Sequence, residues 1–178
     1  MLADIEKVLL TEEQLRTRIR ELGRDITADY RDKPLLALCI LRGSFVFFAD
    51  LVRSVGIPLE VAFMHAASYF ADTQSSGEVQ LPDEAMLAVG GKNVLIVEDI
   101  VDSGRTLNAL KETLLGKNVS SLKIATLLDK PERRVVDIDV DYCGFQVPDE
   151  FVVGYGLDYN QRYRNLPYIG ILKREIYN

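Results

Sequence analysis

Three short runs decide most of what this chain can fold into: residues 35–41, 93–97 and 122–128. Each is almost continuously apolar. A strand with one wet face alternates apolar and polar residues. A run without alternation suits a strand buried on both faces, as in a parallel sheet covered by helices. Helical stretches lie between the runs. Thr11-Glu12-Glu13-Gln14 has the form of a capping box, and Leu15, Ile19, Leu22 and Ile26 follow at helical spacing. Pro34 closes that region. Residues 45–55 read as a helix ending near Gly56, and residues 104–115 as another. Residues 58–64 read as a strand, and 140–145, 151–153 and 168–173 as shorter ones. This alternation predicts an α/β fold with a mostly parallel sheet flanked by helices. A length of 178 residues suits a single domain spanning 1–178.

Several function classes are disfavoured. The formal net charge is -6, whereas bulk nucleic-acid binding needs a basic face. Cys39 and Cys143 have no short spacing, so they suggest neither a disulfide framework nor a zinc site. Residues 1–10 carry Asp4 and Glu6 and lack the apolar core of a signal peptide. No run reaches the roughly 18 apolar residues of a membrane helix. A soluble cytoplasmic protein, free of nucleic acid and membrane, is the expectation.

The chemistry concentrates in Glu98-Asp99-Ile100-Val101-Asp102-Ser103-Gly104-Arg105-Thr106. The strand before it delivers the chain to the carboxyl edge of the sheet, where open α/β sheets bind ligands. Three acids arrive first. Small and hydroxyl residues then lead into a helix, whose unpaired N–H groups suit a phosphate. Acids touching a phosphate would repel it. The fitting ligand therefore has hydroxyls or a metal near the acids and a phosphate slightly further on, as a phosphorylated sugar does. Neighbouring strand residues face opposite ways, so Glu98 and Asp99 are not expected to act as a symmetric pair unless the strand has ended. A P-loop is excluded, because its motif does not occur.

These residues closely resemble the phosphoribosyl pyrophosphate signature of type I phosphoribosyltransferases. The resemblance runs from about Leu9 to Leu172 and is greatest to the bacterial hypoxanthine-guanine branch. It implies the type I fold, with a small hood formed by the N-terminal segment and the C-terminal region. It also implies transfer of phosphoribosyl from phosphoribosyl pyrophosphate to purine N9, with release of pyrophosphate. On that resemblance, Glu98 and Asp99 hold the ribose hydroxyls and the Mg2+ region. Asp102 is the acid or base near purine N7. The Asp102 backbone, Ser103, Gly104, Arg105 and Thr106 cradle the 5-phosphate.

Other segments are similar to further parts of that family's site. Leu41-Arg42-Gly43-Ser44 resembles the pyrophosphate loop, with Arg where many relatives have Lys. The Leu41–Arg42 peptide can be cis in the family. Arg164 is implied in pyrophosphate contact and Asp158 in a second Mg2+. Lys130 is implied as the donor to purine O6. Adenine presents an amino donor at that place, so this favours 6-oxopurines. Phe151 is implied in stacking on the base, and the Val152 backbone in meeting its edge. Residues 66–83 form a long, polar, irregular stretch, a kind that tends to be functional. Its Ser68-Tyr69 pair resembles the mobile lid. His65, the only histidine, receives no role. The family commonly forms homodimers or homotetramers. Two other readings stand beside this one: a regulator of the same fold that binds without turnover, and a phosphoacceptor domain. The acidic charge argues against the first. In the second class the acids follow the first strand, whereas here they follow a middle one.

Overall fold

The run Leu35–Leu41 forms strand β2, and six of its seven residues are buried. In this computed structural model, which describes residues 2–65 and 89–177, β2 lies inside a five-stranded sheet. It pairs in parallel with β3 (Glu60–His65) on one side and β4 (Asn93–Val101) on the other. β5 (Ser121–Asp129) joins β4, and β6 (Tyr142–Gln146) joins β5, both in parallel. The order is β3-β2-β4-β5-β6.

The lack of alternation in β2 has the expected cause. Leu35, Ala37 and Cys39 enter one core, with α1 (Glu12–Asp29) and α2 (Phe45–Ser54). Leu36, Leu38 and Ile40 enter a second core on the other face, with Leu107, Leu110 and Leu114 of α3 (Arg105–Leu115). Each fully buried Leu or Ile contributes about 1.5–3 kcal/mol over an exposed one. A polar residue at any of these positions would lose that and desolvate a polar group. The capping box opens α1: the Gln14 N–H donates to Thr11 Oγ1 at 3.3 Å, and Gln14 Oε1 accepts from the Thr11 N–H at 2.8 Å.

A second sheet joins distant parts of the chain. β1 (Ile5–Leu10), β7 (Val152–Val153) and β8 (Ile169–Leu172) pair antiparallel in the order β1-β8-β7. A short turn, α4 (Arg174–Tyr177), follows β8. This sheet is the hood that the family resemblance implied.

Some boundaries differ from the sequence reading. β1 was not foreseen. It lies at the edge of a small sheet and only Leu10 is fully buried, so its pattern is weak. β3 starts at Glu60 rather than Pro58. β4 runs to Val101 rather than ending at Val97. Glu98, Ile100 and Val101 stay in register with Thr126, Leu128 and Asp129.

Candidate active site

Parallel strands end together, so the turns after β2, β4 and β5 meet at one edge of the sheet. The turn after β2 is Arg42-Gly43-Ser44, and the Leu41–Arg42 peptide is cis. The buried Ser44 hydroxyl donates to the Ile40 carbonyl and lies 3.2 Å from Cys39 Sγ. Burial is the main cause pushing the Cys39 thiol up to about 11, so this cysteine stays protonated and structural. Gly43 is set between Asp99 of β4 and the loop at Gly156. A Cβ on it would lie 1.6 Å from Asp99 Oδ2, and a Cβ on Gly156 would lie 2.1 Å from the Gly43 carbonyl oxygen. Only glycines let the three segments meet this closely.

The loop after β4 is built differently. Gly104 is left-handed, with φ of 79°, and heads α3 without any side-chain cap. Ser103 Oγ is 3.5 Å from the Arg105 N–H, the outer limit of a hydrogen bond. Beyond that long contact, the N-cap offers no side chain to the first-turn N–H groups of α3, which point out of the helix. A Cβ on Gly104 would meet Ile138 Cγ2 and the Val136 carbonyl, each at 3.0 Å. The Ser103 carbonyl accepts from the Val135 and Val136 N–H groups at 3.0 and 3.1 Å, so the loop has a fixed back. Its front is a cavity of about 200 Å³ whose lining includes Glu98, Asp102, Ser103, Gly104 and Thr106. Arg105 is exposed and lines neither this cavity nor the next, so its side chain stands outside the set foreseen in sequence.

Glu98 and Asp99 face different cavities, as strand alternation requires. Asp99 lines a larger one, about 690 Å³, with Leu41, Arg42, Gly43, His65, Leu157, Asp158, Gln161 and Arg164. The two carboxyls still interact, though not as a symmetric pair lining one cavity. Glu98 Oε1 accepts from the Asp99 N–H at 3.2 Å, and Asp99 Oδ1 accepts from the Ile100 N–H at 2.8 Å. Loss of water holds the Glu98 carboxyl well above the ordinary carboxylate range. The Asp99 charge and a hydrogen bond to Asp99 push it the same way. Asp99 is raised as well, chiefly by loss of water, while the Glu98 hydrogen bond and backbone N–H groups pull it partly back. The pair therefore keeps a proton that the unfolded chain would release.

That proton has a sign in stability. The folded chain binds more protons than the unfolded one across the window above the ordinary carboxylate range, so stability falls as pH rises through it. Glu98→Gln removes the ionisation and keeps a donor for Asp99. We expect this variant to melt higher than wild type at pH 7–8 in EDTA, with the gain vanishing near pH 4. A gain on the order of 1 kcal/mol would raise Tm by about 2–4 °C in a chain of this length. Thermal melts at both pH values check it; an equal shift at both would exclude titration as the cause.

The residues that the resemblance implied for the purine lie at the end of β5 and in the hood. Lys130 is only 5% exposed, and its Nζ donates to the Glu150 carbonyl at 2.7 Å. Asp149 Oδ1 lies further off at 3.6 Å. Val152 is buried in β7, while Phe151 just before it is 37% exposed. Asp158 and Arg164 are partners: Arg164 Nη2 lies 2.7 Å from Asp158 Oδ1, and Arg164 Nη1 donates to the Gly156 carbonyl at 2.7 Å. No three acidic, His or Cys side chains cluster as a metal cage among the described residues. Ser68 and Tyr69 lie outside the described residues.

One residue near the site was missed in sequence, and another was given no role there. Arg133 places Nε 3.1 Å from Asp102 Oδ1 and Nη1 3.4 Å from Asp149 Oδ1. It sits in a 3-10 turn, Pro131–Arg133, and Arg-rich turns are common on surfaces. His65 ends β3 opposite Leu41 and enters the large cavity. Its position at the carboxyl edge of a parallel strand was the available signal.

Comparisons with known proteins agree with this geometry. A family model described as the phosphoribosyl transferase domain matches residues 7–160. The hypoxanthine-guanine phosphoribosyltransferase of Staphylococcus epidermidis is 50% identical over 175 residues, 98% of each chain. A crystal structure of a hypoxanthine phosphoribosyltransferase from Staphylococcus aureus superposes with a TM-score of 0.92 at 49% identity, covering 100% of this chain and 97% of the other. A Bacillus anthracis hypoxanthine-guanine phosphoribosyltransferase, with a HEPES molecule in its active site, gives 0.86 at 44% identity over 95% and 99%. The chain belongs to the phosphoribosyltransferases, and within them to the hypoxanthine-guanine phosphoribosyltransferase family.

Proposed function

We propose that this protein transfers the phosphoribosyl group of phosphoribosyl pyrophosphate to N9 of hypoxanthine, and of guanine or xanthine, in purine salvage. The observation that carries this reading is the contact of Gly43 with Asp99 and Gly156. It brings a candidate pyrophosphate loop against an acidic pair at one edge of the sheet, on the strand that leads into the α3 N-terminus.

In the reaction the C1–O bond to pyrophosphate breaks and C1–N9 forms. The uncapped start of α3, with Ser103 and Thr106, holds the 5-phosphate. Glu98 and Asp99 face the ribose hydroxyls. Arg42 and Arg164, with the Leu41 and Gly43 backbone, receive the departing pyrophosphate, and fixed charges aimed at developing oxyanions are effective there. Asp102 takes the proton that the purine loses at N7. Lys130 and the Val152 backbone read the base edge, and Phe151 stacks on the base.

Mg2+ fits the donor set. Asp99 and Asp158 present carboxylates to the same cavity, with Glu98 in the adjoining one, and Mg2+ is commonly held by one or two carboxylates plus substrate phosphates. When bound it would neutralise the charge of the leaving pyrophosphate. Among the described residues no helix is long and apolar enough to cross a membrane, and we place the enzyme in the cytoplasm. We extend the proposal to a homodimer or homotetramer. Val61 and Phe63 of edge strand β3 are 50% and 51% exposed, which gives apolar surface for assembly; a monomer in sedimentation would remove this part.

The test is a rate comparison with phosphoribosyl pyrophosphate and Mg2+ across hypoxanthine, guanine, xanthine and adenine. The 6-oxopurines should turn over roughly fivefold to 150-fold faster than adenine, since a donor facing adenine's amino group leaves Lys130 unpaired at roughly 1–3 kcal/mol. Adenine as the best substrate sinks the Lys130 assignment. Binding without any nucleotide formed favours the regulator.

A further inference from the structure

Three aromatic rings meet at the rim of the hood. Phe151 and Tyr177 are stacked, with centroids 4.7 Å apart and planes 23° apart. Tyr159 meets Phe151 edge-on, at 5.6 Å and 87°. Tyr159 and Tyr177 are 6.4 Å apart. These separations put the two tyrosines somewhat under a right angle apart as seen from Phe151, not on opposite sides of it. Tyr177 thus covers one face of the Phe151 ring, and Tyr159, with its plane nearly perpendicular, does not stack on the other. Phe151 remains 37% exposed. Tyr159 and Tyr177 pack in turn on the hood core of Val153, Tyr163, Leu166 and Leu172.

A lone Phe ring at a loop end can swing about χ1. A ring held on one face and met edge-on by a second presents its other face in a single orientation. We infer that Tyr177 is a positioning residue for the purine: α4 backs the Phe151 ring so that an incoming base completes a three-layer stack of base, Phe151 and Tyr177. The inference rests on the reading of Phe151 as the stacking ring. It adds that purine affinity depends on a residue in α4 that need not touch the base.

The test is steady-state kinetics on Tyr177→Ala, Tyr177→Phe, Phe151→Ala and the Phe151→Ala/Tyr177→Ala double variant. Aromatic pairs contribute modestly beyond their buried area, so Tyr177→Ala should raise KM for hypoxanthine roughly threefold to tenfold. Its kcat and its KM for phosphoribosyl pyrophosphate should stay within about twofold. Tyr177→Phe, which keeps the ring, should restore the hypoxanthine KM. In the Phe151→Ala background Tyr177→Ala should add nothing, because its effect passes through Phe151. An unchanged KM in Tyr177→Ala overturns the inference. A lowered one does too, since it would mean the ring occupies the base's own place. So does a rise that persists without Phe151. If Tyr177→Ala melts out, Tyr177→Leu keeps apolar bulk on the hood core, and a wild-type KM in that variant also overturns it. Phe151→Ala reports on the underlying reading: if it leaves KM unchanged the stacking assignment fails, and if it raises KM while Tyr177→Ala does not, only this inference fails.

Discussion

Asp102→Asn is expected to lower kcat roughly 10²–10⁴-fold, the usual contribution of a positioned acid or base, while KM for phosphoribosyl pyrophosphate stays within about twofold. The side chain keeps its shape and one acceptor oxygen but can no longer take a proton. The phosphate loop keeps its donors, because these are backbone groups held by Gly104 and by the carbonyl of Ser103. Stability should hardly move. The ion pair lost is with Arg133, and both side chains are nearly half exposed, at 44% and 49%. Exposed pairs of this kind contribute about 0–1 kcal/mol. A fall in kcat with an unchanged melting curve is therefore chemical and not a folding defect. Steady-state rates and a thermal melt decide it, and a wild-type kcat removes Asp102 from the acid–base role.

The same ion pair shapes what happens before chemistry. Arg133 reaches from Asp102 to Asp149, and Lys130 lies near Asp149 and on the Glu150 carbonyl. In this structure the proposed base and the proposed purine-reading lysine thus already have partners. On the proposed reading a 6-oxopurine offers O6 to Lys130 and N7 to Asp102, so it replaces contacts that exist instead of filling unpaired positions. Net affinity for the base is then a difference between two satisfied states. On that reading a larger share of it falls to stacking on Phe151.

The fold was legible because its strongest signals are local. The apolar runs of β2, β4 and β5 are the middle of the sheet, and burial on both faces leaves a clear mark in sequence. β1 left little mark because an edge strand with one buried residue obeys weaker constraints. The loop at 98–106 was legible for the same reason: acids, small residues and a helix start stand within nine positions. The Glu98–Asp99 interaction was not, since it depends on a side chain bending back along its own strand. Arg133 and Tyr177 were not legible either. Arg133 acts on Asp102 from 31 positions away, and Tyr177 on Phe151 from 26. Nothing in the composition of their segments points to those partners. The packing of Gly43 was invisible too, because a glycine in a turn is ordinary until the groups opposite it are known.

That glycine carries the second large effect. Gly43→Ala places a methyl group where Asp99 Oδ2 now is. The loop cannot retreat, because the Gly43 carbonyl already lies against Gly156, held at φ of 102°. Asp99 must therefore leave its position, and the wall shared by Arg42, Asp99 and Arg164 is broken. We expect kcat/KM for phosphoribosyl pyrophosphate to fall at least about 10²-fold, since misplacement near 1 Å can cost that much. Overpacking should also destabilise the fold by about 1–3 kcal/mol. Gly90→Ala is the control: its added Cβ would meet nothing nearer than 3.7 Å, and it should behave as wild type. Combining Gly43→Ala with Asp99→Ala separates the two effects. Removing the carboxylate relieves the clash, so the double variant should recover its melting temperature without recovering activity. Recovery of both would show that Asp99 is there only to pack. Loss of neither in Gly43→Ala alone would mean the three segments are not held as closely as the structure shows.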